Sequence, residues 1–437
     1  MKFRWIAGVL IFLLVLVAAA GSVIWYQAIT LKARVAESIG RALGARVEVT
    51  SLDIDLWKGE LHAAGITLTN ERPDAPWDQG EIGQAVAHFH LRDLLSPVVP
   101  LRIEVSLWHL ALRPAPAGAR GTSTPDEPPP ADATPGAKRG VEVIELSGTQ
   151  GEAEIETAPG EKTLFHDVSF DSTSNGGSVW TTQLRAGSIV SGTLAIGSSS
   201  VQIDSDPGKV TFTSLHMQCA DGAITGEGSR DLAAPHAAKA VLQAVDVPVI
   251  MLVGAAWQMK LSGLATGNLS YQGDDAGGQA TGQIAVAHGK FNVLPFLGKI
   301  AGVVGLPDIS GVEVDKATTD FMWKDRALHL TNIDVRKTDV TRIAGQVDVG
   351  ADGQVDGHLK LGLPDAVLGK WPQLQQQIFS SQSDDYGWTD VHLTGTPDHL
   401  QEDLSSRVLA VSLKSGSNVI NAGAQKAMDL LKGLMGP

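Results

Sequence analysis

Residues 101–107 read Leu-Arg-Ile-Glu-Val-Ser-Leu, apolar at 101, 103, 105 and 107 and polar at every position between. Successive side chains of an extended strand point to opposite faces, so this stretch predicts a strand with one dry and one wet side. The same period of two recurs upstream. Val47 and Val49, then Leu52, Ile54 and Leu56, alternate with Arg46, Glu48, Asp53 and Asp55. Gly59 and Gly65 punctuate Leu61 and Ile66-Thr67-Leu68, and 84–91 alternates again. Short alternating runs separated by glycine turns predict an antiparallel meander.

The pattern continues downstream. Strands are predicted over 141–146, 164–170, 179–184, 192–196, 201–203, 210–217 and 261–271, and again over 316–323, 327–334, 341–349, 353–362 and 389–394. Forty-eight glycines and only 5% aromatic residues in 437 suit many short strands better than a helix-rich enzyme. The run Asp246-Val-Pro-Val-Ile-Met-Leu-Val253 predicts a buried helix turn or plug. Residues 291–306 are apolar but short and glycine-rich, which predicts a short helix capping or lining the sheet. Ile420, Ala424, Ala427, Leu431 and Leu434 share one helical face opposite Lys426, Asp429 and Lys432, an amphipathic helix near the C-terminus.

Two segments break the pattern. From Trp5 to Tyr26 no charged residue occurs. As a helix this stretch is about 33 Å long, enough for a hydrocarbon core of about 30 Å. Trp5, Trp25 and Tyr26 sit where interfacial aromatics anchor a span, and Lys2 and Arg4 hold the preceding stub in the cytoplasm. A cleaved signal peptide is the competing reading, with Ala18-Ala19-Ala20 as its processing site. The apolar run past that site, to Tyr26, favours the anchor, and both readings export the rest of the chain. In the second segment, 114–140, Pro125, Pro128, Pro129 and Pro130 remove ladder donors and few apolar groups remain, which predicts a disordered loop.

Composition excludes some functions. A net charge of −14 without a basic patch speaks against nucleic acid. Cys219 is alone, so no intramolecular disulfide forms, and its expected role is a small buried side chain in a strand. No G-x-S-x-G, H-E-x-x-H, Walker or dinucleotide fingerprint occurs. His88 and His90 are the one close histidine pair, read as a solvated strand face because no third ligand is evident. Asp274-Asp275 and Asp384-Asp385 read as turns in which aspartate caps backbone donors. We therefore expect no enzyme, no cofactor and no metal.

Three segments together resemble the AsmA-like family of diderm bacteria, the AsmA, YhdP and TamB type. One is the apolar N-terminal stretch running into Leu43-Gly-Ala-Arg-Val-Glu-Val49, the second Leu52 to Leu56 followed by Leu61 and Gly65 to Asn70. The third spans Gly289-Lys-Phe291, Leu294-Pro295, Asp320-Phe321, Leu328 to Ile333, Ile343 to Val349, Gly357-His-Leu359 and His392 to Thr396, which is similar to the family's C-terminal module. The resemblance implies a single-pass inner-membrane protein with its bulk in the periplasm. It implies an elongated, curved antiparallel sheet, a groove whose apolar concave side binds or conducts phospholipid for outer-membrane biogenesis.

The expected organisation is a stub at 1–4, a transmembrane helix at 5–26, β regions at 27–113 and 141–288 flanking the loop at 114–140, a C-terminal β module at 289–403, and an amphipathic tail at 404–437. Leu52, Ile54, Leu56, Ile103, Val105 and Leu107 are the candidate groove residues, because period two puts them on one apolar face. The alternative is an envelope assembly scaffold in which the same faces close on each other and the loop and tail recruit protein partners. A groove leaves apolar rows uncovered; closed cores bury them.

Overall fold

The structure is a computed structural model and describes residues 45–55, 58–70, 77–90, 92–93, 98–113, 140–158, 161–176, 178–192, 194–253, 258, 260–291, 312–396 and 399–414. The expected membrane helix, Leu56, most of the proline-rich loop, the segment 292–306 and the helix over 420–434 lie outside the described residues. Among those described, no helix is long and apolar enough to cross a membrane. The described fold is mainly β, 22 strands with a few short helices, and nearly all pairings are antiparallel. The chain divides into two compact units, one of residues 1–218 and 225–236, the other of 219–224 and 237–437.

In the first unit, β1 (Ala45–Asp55), β2 (Glu60–Asn70), β3 (Trp77–His88) and β4 (Val98–Leu112) form the predicted antiparallel meander. The next strand, β5 (Gly140–Ala158), pairs with β4 in parallel. A parallel pair needs a long return connection, and 113–139 supplies it. From β5 the ladder continues antiparallel through β6 (Glu161–Ser174) to β7 (Trp180–Ala186) and β8 (Ser188–Ser191). The short β9 (Leu194–Ile196) pairs with β8, and β10 (Ser199–Ser205) pairs with β7 and β11 (Lys209–Cys219). The strand β12 (Gly222–Asp231) follows. Cys219 ends β11 fully buried, and burial pushes its thiol pKa up.

A crease crosses β1 to β6. Gly65 and, unusually for non-glycine residues, Leu107, Gln150 and Asp167 have positive φ, and they sit at matching heights of neighbouring strands. Each switches which parity of residue faces inward. On β1 the inward residues are Val47 and Val49, then Leu52 and Ile54; on β2 they are Leu61 and Ala63, then Ile66 and Leu68. Such bulges bend strands and increase their twist. Close packing at the crease requires glycine: a Cβ on Gly83 would lie 2.8 Å from the Leu107 Cβ, and one on Gly187 would lie 2.8 Å from that of Asp167.

The second unit is a regular ladder of β13 (Ala238–Pro248), β14 (Leu264–Asp274), β15 (Gly277–Phe291), β16 (Val312–Lys324), β17 (Ala327–Lys337), β18 (Thr341–Val349), β19 (Val355–Pro364) and β21 (Tyr386–Thr396), each paired antiparallel with the next. The three-residue β20 (Ser381–Ser383) and β22 (His399–Glu402) pair with β21. The run near residue 250 is not a buried plug: it is the end of β13 followed by a 3-10 turn over Val249–Met251, in which Val249 is buried while Ile250 and Leu252 are exposed. Asp384 and Asp385 form the tight positive-φ turn before β21, as aspartates tolerate.

Among the described residues, two helices come between β19 and β20 and a third follows β22. The first, α1 (Asp365–Leu368), starts directly after Pro364, and α2 (Pro372–Gln377) carries proline in its first turn, where the absent N–H costs nothing. The third, α3 (Leu404–Lys414), buries Leu404, Val408 and Val411 at helical spacing. With Leu368, Leu374, Ile378 and Phe379 these side chains join Leu359, Leu361, Leu363, Val391 and Leu393 of β19 and β21 in one core.

Candidate functional site

The candidate residues of the N-terminal β region fall in two groups. Registers align Ile54 with Leu61, Leu61 with Ala87 and Ala87 with Ile103; the next rung is Leu52, Ala63, Ala85 and Val105. Leu52, Ile54, Ile103 and Val105 therefore share one face, as period two predicts. That face belongs to a packed core: Ile103 is 1% exposed, and Leu61, Ala87, Leu101 and Leu146 around it are equally closed. Leu107 does not share the face. Its positive φ of 54° at the crease turns it outward to 56% exposure, and Trp108 packs on the core in its place. The Trp108 ring lies over Gly151 and meets Phe170 edge-on at 5.7 Å.

A second apolar face runs across the other unit and is only partly covered. One rung, by register, is Val247, Ala265, Val286, Ala317, Val335, Ile343 and Leu361, and it joins the helix-capped core. The next rungs out are different. Leu242, Leu269, Gly282, Phe321, Leu330 and Val347 align across β13 to β18, and beside them run Ala240, Tyr271, Ala280, Trp323, Leu328 and Val349. Where these two rungs reach β19 and β21, at Val355, Gly357 and Leu393, they are buried. Between β13 and β18 their large side chains are half-buried, and Trp323 is 41% exposed. Among the described residues, neither core includes Leu242, Leu269, Tyr271, Phe321, Trp323, Leu328 or Leu330.

The aromatic rings of this strip lie along the sheet. Tyr271 leaves room for no side chain at Gly273 or Gly278, and a Cβ on Gly282 would meet the Phe321 ring at 2.8 Å. Glycine at these positions keeps the strip flat. Six strands at about 4.8 Å spacing make it about 24 Å long, beyond the roughly 15 Å that one leaflet's tails occupy.

The opposite, polar face of this unit holds a cleft of about 690 Å³ lined by Asn332, Gln346, His358, Lys360, His392 and Arg407 among others. Bulges at Asn332 and Gly345 hollow the sheet there. His358 and His392 are directly opposite each other on β19 and β21 and stack at 4.7 Å. Nearby, Arg342 reaches Asp334 at 2.8 Å and lies 5.8 Å over the Trp388 ring, and Asp334 raises the guanidinium pKa. The sequence reading passed over this histidine pair because 34 positions of chain separate the partners, and strand register alone brings them together. His88, read as part of a solvated strand face, is half-exposed and faces Glu60 and Glu104 at 3.8 Å each, and His90 follows the end of β3.

No family model and no curated protein sequence matches this chain.

Proposed function

We propose that the chain is an AsmA-like, inner-membrane-anchored periplasmic protein that holds phospholipid acyl chains on the half-covered apolar strip of its second unit. The observation that carries this reading is the two rungs from Leu242 to Val347 and from Ala240 to Val349, whose large side chains stay half-exposed while the same rungs are buried at β19 and β21. A contiguous apolar surface of that kind marks an interaction site. Each methylene removed from water there contributes about 0.8 kcal/mol, so a single tail of ordinary length outweighs the cost of being held. The apolar stretch Trp5 to Tyr26 supplies the anchor in this reading, with Trp5, Trp25 and Tyr26 at its ends. The strip needs no catalytic group, and its work is binding and passage.

A scaffold role is favoured by one observation only, the closed core around Ile103, which behaves as a packing unit and not as a lipid surface. In our reading the acyl chains therefore rest on the second unit and not on Leu52, Ile54, Ile103 and Val105, which lie in or against that core. The test is mass spectrometry of phospholipid retained by the full-length protein beside its Phe321→Asp and Leu330→Asp variants. The expected result is near-stoichiometric phospholipid in the parent and its loss in folded variants. Equal retention in all three would remove the strip as the lipid site.

A further inference from the structure

On the polar face, opposite the apolar strip, Asp356, His358 and His392 bring three ligand atoms within 4.8 Å of one another. The arrangement follows from register. His358 and His392 are a cross-strand pair, and Asp356, two residues before His358, points to the same face. Both imidazoles converge on one oxygen: His392 Nε2 is 2.8 Å and His358 Nε2 3.6 Å from Asp356 Oδ1. The His392 backbone amide donates to Asp403 Oδ1 at 2.9 Å, which fixes that strand edge beneath the ring.

A second, independent feature is a clash of like charges. Asp348 on β18 is directly opposite Asp356 on β19. Like charges facing each other across a pair of strands are destabilising. Asp348 is met by His329 at 2.7 Å, so the face carries the row His329, Asp348, Asp356 and the two stacked histidines. Lys360 and Arg407 line the same cleft with Asp390 and Asp403, two charges of each sign. The opposed aspartates are therefore met by imidazoles, Asp348 by His329 and Asp356 by His358 and His392, while the lysine and arginine of the cleft are matched by Asp390 and Asp403.

We propose that Asp356, His358 and His392 bind a divalent cation of the zinc class. Two imidazole nitrogens and one carboxylate oxygen are the donor set for zinc, nickel or copper, and not for calcium or magnesium, which demand oxygen. Tetrahedral bonds of about 2.1 Å require ligand atoms about 3.4 Å apart, reached here by rotations of exposed side chains. The ion sits between the two Nε2 atoms and Asp356, its outer position is filled by water, and Asp348 adds attraction from the neighbouring strand. This inference stands apart from the lipid reading, since it concerns the other face of the sheet.

The test is calorimetric titration of Zn²⁺ into the chelator-washed full-length protein, repeated with His358→Gln, His392→Gln and Asp356→Asn. The expected result is one site of micromolar order, weakened at least about tenfold by each substitution. His62→Gln, which removes an imidazole 3.0 Å from Glu60 in the first unit, is expected to leave the site unchanged. The Cu²⁺-loaded parent should show electron-spin coupling to two imidazole nitrogens, lost in the histidine variants. All three ligand residues are exposed, so the variants keep the parent melting temperature without metal. No binding up to about 100 µM Zn²⁺, or equal binding in parent and His358→Gln/His392→Gln double variant, overturns the proposal.

Discussion

The inward face of β1 to β4 and the apolar face of β13 to β18 are written in the same alternation, yet they end in different states. Around Ile103 every inward neighbour is closed off, and the large side chains from Leu61 to Leu146 share one core. Around Phe321 the neighbours on the same face, Leu269, Trp323 and Leu330, stay half-covered. Part of the difference is what folds over the face. In the second unit α1 to α3 pack over β19 and β21, and the core they close reaches Val314, Ala317 and Ile343 but not Phe321, Trp323 or Leu330. Part is composition: Gly273, Gly278 and Gly282 lie under flat aromatic rings, where the first unit has Val, Ile and Leu standing in the core. Period two identifies an apolar face. What lies upon that face is decided by segments distant in the sequence.

The sharpest way to break the comparison is to charge both faces. Ile103→Asp buries a carboxylate without a partner and is expected to unfold the first unit, a loss of several kcal/mol seen as collapse of its cooperative melting transition. Leu330→Asp on the half-open strip should leave melting within about 1 kcal/mol of the parent while abolishing retained lipid. Equal unfolding by both substitutions would mean that the two faces are equally closed.

The crease offers a smaller effect. Gly83→Val places a branched side chain against Leu107, already 2.8 Å from a bare Cβ, and is expected to cost about 2–3 kcal/mol in denaturant titration. Gly353→Ala, at a turn where nothing lies within 4 Å of the added Cβ, serves as the control for strain alone. Parity at these creases was partly legible. A step of three between apolar positions, Val49 to Leu52, Ala63 to Ile66, Ile82 to Ala85 and Leu330 to Ile333, is the signature of an inserted residue. On β4 the signature vanishes because Leu107 and Trp108 are both apolar, so alternation alone assigned Leu107 to the inner row.

Other features lay beyond sequence reading for identifiable reasons. The parallel pairing of β4 and β5 depends on the return path of the chain, and composition reports only that a long polar segment intervenes. The helices after β19 are short, and their signals, Pro364-Asp365 and Trp371-Pro372, read equally well as turns. Strands β14, β16 to β19 and β21 were legible to within a few residues because apolar alternation marks each, whereas β15, rich in glycine and alanine, and the three-residue polar β20 carry too little of it.

Two further measurements sharpen the contrast at lower amplitude. Asp315 in β16 accepts from the Thr338 amide at 2.7 Å and from Lys337 Nζ at 3.3 Å, and hydrogen bonding from Thr338, then Lys337, holds its carboxyl down at about 2. A depressed carboxylate contributes stability that is fully present above its unfolded value near about 3.9 and is lost as pH falls through about 2. Carboxyl carbon NMR should place its midpoint at about 2, whereas an ordinary midpoint would mean that the turn after β17 is not tied to β16. Leu107→Ser should change stability by no more than about 0.5 kcal/mol, in contrast to the several-kcal/mol loss expected two positions earlier for Val105→Asp.

The central claim is that phospholipid lies on one face of the second unit, and photo-crosslinking from single positions tests it most directly. A benzophenone side chain at Phe321 faces the strip, one at Met322 faces the polar side of the same strand, and one at Leu52 sits, partly buried, on the row that packs against the core of the first unit. The account predicts phospholipid adducts from 321 and none from 322 or 52 when the full-length protein is irradiated in native membranes. Adducts from 52, or equal adducts from 321 and 322, would contradict it.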